Sequence, residues 1–403
     1  MALLPMLTVK GQESVRMSLA SAEAAEARRK AATTLGYYNV KLGPSAWRFG
    51  TGLGLEWSDN IRLEGLHPKS DFIFRPELTT RMVLPVTDQN SINLALSGGY
   101  SAYLQHTEFN RFFIRPGSEL SFDIYAGDVW INLHDRFSIL QDTYQDPTVV
   151  GSADLSRLEN AVGLSATWDL NKIVLRLGYD HLNYISLQGD TANQPDGQSD
   201  ILFLNAGFSP VSGTLYGLEL GGGLIHYDTN PRLGFTDAIQ WNAGVFTDLK
   251  LSEYMRVRGS AGYSVFTPDT SGPFDAGDFQ GLYSQLTFLH RLNQYVDYSL
   301  SGGRSLNFTF YGGTIDFYYA RLAANWKFIE KVTLNTAFDY EHGKQVSFGR
   351  ETFDRLGPNV TISRALTQKL TGHLRYQYYW RNSDLAARDY TVNVVTLTFR
   401  YQF

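Results

Sequence analysis

The chain has 403 residues, 43% hydrophobic and only 19% charged, with a net charge of −5 and no cysteine. That length suits one very large domain or two to three ordinary ones. The small acidic balance argues against a nucleic-acid partner, and the lack of cysteine excludes a disulfide framework or a thiolate metal site. No apolar run approaches the roughly 18–20 residues of a membrane helix, whereas 24 Tyr, 25 Phe and 37 Gly suit many half-apolar strands joined by tight turns.

In the first segment, residues 1–44, Met1–Val9 is apolar but has no basic residue before it and is interrupted by Pro5. Met17–Ala27 carries Glu23 and Glu26, so neither stretch reads as a secretory signal core. Ser14–Thr33 reads as a helix: Ala dominates, Glu26 lies four residues before Lys30, and Ser14 can cap it.

From Ser45 to the last residue the pattern is alternation, which in a strand sends side chains to opposite faces. Trp47, Phe49, Leu53, Leu55 and Trp57 oppose Arg48, Gly50, Gly52, Gly54 and Glu56. Ile173, Leu175, Leu177 and Tyr179 oppose Arg176, Gly178 and Asp180, and Val162, Leu164 and Trp168 oppose Ser165, Thr167 and Asp169. Later segments repeat this with Val257, Ala261 and Tyr263 against Arg256, Arg258 and Ser260, with Leu322, Trp326 and Phe328 against Arg321, Asn325 and Lys327, and with Leu374, Tyr376 and Trp380 against Arg375, Gln377 and Arg381. Charge sits at mid-strand on the polar face. A soluble sandwich, the competing fold, would need all the apolar faces to meet across cores.

The connections differ at the two ends of the strands. Short turns recur at every second connection, among them Asp169–Lys172, Lys250–Glu253 and Arg291–Gln294, which read as close copies. The intervening connections are longer and rich in Asp, Gly, Pro and Asn: Gln141–Ser156, Gln188–Ser199, Pro268–Asp278 and Glu341–Thr352. Short turns on one side and long loops on the other mark a transmembrane β-barrel, here of about eighteen antiparallel strands over residues 45–403. An even count returns both ends to one side, and in hydrocarbon the sheet must close. The Ser14–Thr33 helix would lie before the barrel mouth or inside the lumen. Asp135 and Arg304 break the alternation, where a bulge or headgroup contact would explain them, and Pro76, Pro116 and Pro358 fall inside strands.

The inner face should carry the function. Candidate pore-lining residues are Arg75, Glu77, Arg115, Glu119, Arg176, Asp180, Arg256, Arg258, Arg321, Asp339 and Arg375. Over the whole inward parity ten arginines (adding Arg81, Arg136 and Arg400) meet ten carboxylates (adding Glu56, Asp123, Asp169, Glu219, Asp248 and Asp297), a near balance that fits either mutual salt bridges or a transverse field at a constriction. Trp47, Trp57, Trp168, Trp326, Trp380 and Phe403 fall on the apolar parity and are expected at the membrane interfaces. No enzymatic constellation stands out. Asn132, His134 and Ser138 share a polar face, but His134 and Ser138 are four residues apart and read as lumen lining. The histidines form no metal pattern and the acidic outer loops no calcium loop, so neither cofactor nor metal is expected.

The final strand sends Val395, Leu397, Phe399, Tyr401 and Phe403 to one face. A terminal aromatic in such a strand resembles the assembly signal of bacterial outer-membrane barrels, with Thr396, Tyr401 and Phe403 matching and Thr398 where Gly is usual. With the entry YYNVKLGPSAWRFGTGLGLEWSDNI and the segment NLHDRFSILQDTYQDP, the chain from Tyr37 to Phe403 resembles the β-barrel porin 2 type of bacterial outer-membrane proteins. The resemblance implies an outer-membrane porin with both termini periplasmic and Phe403 read by the barrel-assembly machinery. Its implied partners are outer-membrane lipid and small hydrophilic solutes diffusing passively. Some members are linked to exopolysaccharide export, so a specialised export barrel with periplasmic partners, or a scaffold, is the alternative. The resemblance carries over no catalytic residues.

Overall fold

The computed structural model describes residues 37–140, 143–153, 156–187, 196–228, 237–269, 279–308, 314–346 and 350–403. The helix expected at Ser14–Thr33 and parts of the long connections lie outside them. The strands are β1 (Val40–Leu42), β2 (Ser45–Ser58), β3 (Asp71–Pro85), β4 (Ser91–Tyr103), β5 (Arg111–Ala126) and β6 (Val129–Leu140). They continue with β7 (Arg157–Asp169), β8 (Ile173–Ser186), β9 (Gly197–Phe208), β10 (Thr214–Tyr227), β11 (Ala238–Lys250), β12 (Met255–Pro268) and β13 (Phe279–Arg291). The last are β14 (Val296–Phe308), β15 (Thr314–Ile329), β16 (Val332–Gln345), β17 (Thr352–Ala365), β18 (Leu370–Ser383) and β19 (Tyr390–Gln402).

Each strand from β2 to β19 pairs antiparallel with the next, and β19 returns to β2, so eighteen strands close a barrel. β1 is a short extra piece. It pairs with Ser45–Trp47 of β2, on the edge that β19 takes up from Gly50 onward. The chain therefore enters the sheet before Ser45. Several strands also run further than the loop boundaries read from sequence: β16 reaches Gln345 and β9 starts at Gly197. The Tyr37 hydroxyl donates to the Phe403 carbonyl at 2.8 Å, which puts the start of the described chain beside its end.

The short turns owe their likeness to one side-chain device. Thr87, Ser252, Asn293 and Thr367 each accept hydrogen bonds from the backbone N–H groups two and three residues on, for example Tyr295 and Val296 to Asn293 Oδ1 at 2.8 and 2.9 Å. Such Asx and ST turns replace backbone pairing where the chain reverses. The turn at Asp169–Lys172 is not a copy of these: Asn171 takes φ +71° and its N–H bonds Asp169.

Each proline that sat awkwardly in the sequence falls at a break in one ladder. Arg75-Pro76 and Gly357-Pro358 are skipped in the β3–β4 and β17–β18 pairings. Pro116 lies in a bulge of β5 between Ile114 and Ser118, with Gly117 at φ +94°. Proline has no N–H to give, so it is tolerated where no ladder bond is asked of it. Asp135 and Arg304 need no bulge, since each is met by a polar side chain on the next strand. Asn160 Nδ2 donates to Asp135 at 2.5 Å, and Arg304 holds both oxygens of Asp316 at 2.8 and 2.9 Å.

Inward aromatics, which strand parity did not reveal, are seated over glycines. A Cβ added to Gly178 would fall 2.2 Å from the Phe203 ring, and one on Gly343 or Gly357 would fall 2.5 Å from Phe353 or Tyr379. Tyr283 lies over Gly244 and Gly262 and donates to Glu219 at 2.8 Å. The glycines opposite the apolar face are thus sockets for rings from neighbouring strands.

Candidate functional site

The interior is narrowed by two connections that turn inward. The β6–β7 connection, with a 3-10 turn at Thr143–Gln145, packs Tyr144 and Val150 against Leu63, Tyr379, Tyr390, Val392 and Val394. Leu63 belongs to the β2–β3 connection, and the other four stand on the inner faces of β18 and β19. Arginines hold the β6–β7 loop by its backbone. Arg355 donates to Tyr144 O at 2.9 Å, Arg381 to Pro147 O at 3.2 Å, Arg388 to Thr148 O at 3.4 Å and Arg62 to Gly151 O at 3.3 Å. Arg355 and Arg381 are almost fully buried and lie over the Tyr379 and Phe353 rings at 4.6 and 4.1 Å. Glu341 balances Arg355, while Glu351 takes both Arg381 at 2.7 Å and Arg388 at 2.9 Å. A buried guanidinium needs this pairing, because its desolvation is otherwise prohibitive.

Within the loop, the Asp146 carboxylate accepts the Thr148 N–H at 2.8 Å and its hydroxyl at 2.7 Å. Burial pushes the Asp146 carboxyl above the ordinary aspartate value, although the two Thr148 bonds pull it the other way.

All eleven charged residues singled out from the sequence alternate onto the inner face. Arg75 pairs with Glu56 at 3.0 Å, Arg115 with Glu77 at 2.8 Å, Arg136 with Glu119 at 2.9 Å and Arg321 with Asp339 at 3.1 Å. Asp248 takes both Arg256 and Arg258, at 2.5 and 3.1 Å. Arg176 lies over the Phe203 ring at 5.2 Å, Arg375 donates to Gln377, and Asp180 holds His134 at 2.6 Å. In these pairs six arginines meet five carboxylates, and the two sides differ in exposure. The side chains of Arg115 and Arg256 are 38% and 37% exposed, against 6% and 0% for Glu77 and Asp248. The carboxylates lie against the wall and the guanidiniums stand in front of them.

The six aromatics expected at interfaces all fall on the outer face, with Trp168, Trp326, Trp380 and Phe403 well exposed. Trp241 joins them there, whereas Trp130 turns inward and donates to Asp123 at 3.1 Å. His134 is engaged by Asn132 Oδ1 at 2.9 Å and by Asp180, not by Ser138. The sequence missed Arg355, Arg381, Arg388 and Glu351, which tether the loop. Their only sequence signal was charge: Arg355 and Arg381 on the inward parity near the loop ends of β17 and β18, Glu351 and Arg388 in the adjoining connections.

No protein-family model matches the chain, and no curated protein matches it in sequence. Solved structures do resemble it. OpdL of Pseudomonas aeruginosa matches over 90% of this chain and 99% of its own, at 11% identity and a TM-score of 0.51. OccAB3 of Acinetobacter baumannii covers 90% and 100%, at 10% identity and 0.53. OccK2 (OpdF) of Pseudomonas aeruginosa, solved with glucuronate, covers 89% and 98%, at 12% identity and 0.53. At such identity the likeness is one of fold.

Proposed function

We propose that the chain is an outer-membrane channel for the passive diffusion of small hydrophilic solutes, and that it favours anions, organic carboxylates above all. One observation carries this: guanidiniums face the interior while their carboxylate partners are withdrawn into the wall. A passing solute meets the nearer charge first, so a lumen that is balanced by count is cationic by position. The fold likeness to a barrel solved with glucuronate, itself a carboxylate, supports the same solute class.

The apolar outer face with its aromatics suits a bilayer, with Trp47, Trp57, Trp168, Trp326, Trp380 and Phe403 near its interfaces. Both termini then lie on the periplasmic side with the short turns, and Phe403 is presented to the assembly machinery. Polysaccharide export would need a wide unobstructed bore, and the tethered β6–β7 loop argues against it. Reversal potentials of single channels in planar bilayers under a salt gradient test the proposal. Anion preference is expected. A cation-preferring pore, or none, would overturn it.

A further inference from the structure

Most neighbouring strands of the barrel are laddered along much of their length, but β13 and β14 part company. Their ladder runs only from Arg291↔Asp297 to Ser284↔Arg304. Beyond it, among the described residues, Phe279–Leu282 is laddered to β12 alone and Ser305–Phe308 to β15 alone. A row of backbone groups is left without strand partners on each side, which hydrocarbon does not tolerate.

Side chains show how the two strands meet instead. Leu306 shares the outward parity of Leu300, yet it is 6% exposed where Leu300 is 53%. It belongs to one cluster with the inward-facing Ile225, Phe266 and Phe279. Gly281 has inward parity, yet a Cβ on it would lie 3.4 Å from Arg304 Nη2, and Arg304 has outward parity on β14. Both relations have one geometric solution: the inner face of β13 rests on the outer face of β14. The wall is lapped here rather than hydrogen-bonded. Apolar contact closes it on the inner side, and the Arg304–Asp316 pair, with Arg304 5.4 Å over the Tyr318 ring, stands at its outer edge.

We propose that this seam is a lateral passage through which the apolar chain of an amphipathic carboxylate moves between the lumen and the bilayer. The proposal rests on the reading that the barrel stands in a membrane. A lapped joint parts by sliding apolar surfaces, with no ladder to break. The tail finds Ile225, Phe266 and Phe279 on the way, and Arg304 meets the carboxylate at the mouth. Arg304 uses Nε and Nη2 on Asp316, which leaves Nη1 for a second acceptor.

The chain has no cysteine, so a reversible lock can be built without background. A Phe279→Cys/Leu306→Cys variant is oxidised in lipid vesicles and treated with a long-chain carboxylate bearing a photoreactive diazirine in its tail. Labelled residues are mapped by peptide mass spectrometry. In the unmodified chain the expected labels include Ile225 and Phe266 inside the wall. In the locked form only outer residues such as Leu282 and Leu300 should be labelled, and reduction should restore the inner labels. Gly281→Phe, which fills the joint without a cross-link, should behave as the locked form does. Labels confined to the outer face in every form, or inner labels that persist in both blocked variants, would overturn the passage. Small-anion conductance should be the same in all forms. Its absence from the unmodified chain would sink the diffusion reading and leave the passage to be judged on its labels.

Discussion

Removing Arg256 and Arg258 separates electrostatic selectivity from structural support. The two guanidiniums share one buried carboxylate, Asp248, giving a local charge of +1. Arg256→Ala with Arg258→Ala makes it −1, and adding Asp248→Asn brings it to zero. At about 7 Å in water a unit charge shifts a monovalent ion by ~0.6 kcal/mol, and physiological salt roughly halves this. The double variant should therefore disfavour anions by about 0.6 kcal/mol and favour cations equally, lowering the anion/cation permeability ratio roughly sevenfold. The triple variant should lower it only about threefold. Stability should fall in the same order, but the triple variant should lose little of it while its permeability ratio still shifts. The double variant takes both guanidiniums away from Asp248, which is 0% exposed, at a cost of about 3–5 kcal/mol that the neutral Asn largely avoids. Reversal potentials give the first ordering, and heat-induced loss of the folded band on semi-native gels gives the second. Equal permeability ratios in all three proteins would refute the claim that these arginines govern passing ions. A double variant as stable as the triple would refute the buried pairing.

The loop tethers give a second prediction: Arg355→Met with Arg381→Met removes two of the four backbone anchors, each worth about 1.5–3 kcal/mol as a charged donor, and should raise and roughen single-channel conductance. Unchanged, quiet conductance would show that the loop is held otherwise. A third concerns the sockets. Gly178→Ala places a methyl 2.2 Å from the Phe203 ring and should destabilise the barrel by about 1–3 kcal/mol through overpacking, read as an earlier melting transition. Fourth, the raised Asp146 pKa means that the packed loop binds a proton more readily than the released one. Its stability is fully present below the ordinary aspartate value and is lost as pH rises through the raised one. Channel opening events should become more frequent on that rise, and Asp146→Asn should make them independent of pH.

Strand parity was legible because a repeat of two needs only one strand to be seen. Trp168, Arg256 and Arg375 fell on the expected faces for that reason alone. The inward rings were not legible, because Phe203 is accommodated by Gly178 on a different strand, and neither residue announces the other in sequence. Nor was the constriction: Tyr144 is held by Arg355, and Pro147 by Arg381, across most of the chain. Charge could be counted but its depth could not. Glu77 and Arg115 look equivalent in sequence, and only packing withdraws one behind the other. The prolines became intelligible once the ladder breaks were known, since a single strand does not show which of its two neighbours it has stopped bonding.

The edge of β2 has a bearing on biogenesis. It is completed by β19 from Gly50 to Ser58 and by β1 at Ser45–Trp47, and Tyr37 reaches the Phe403 carbonyl. Nearly the whole chain lies between the two strands of that one joint, so its closure carries the largest entropic penalty of any pairing in the molecule. Every other pair of strands is joined by a single connection and can zip locally, but this joint waits for β19. A polypeptide cut short before β19 would keep an unsatisfied β2 edge and could not persist in a bilayer. The final ladder thus makes closure of the whole barrel conditional on β19.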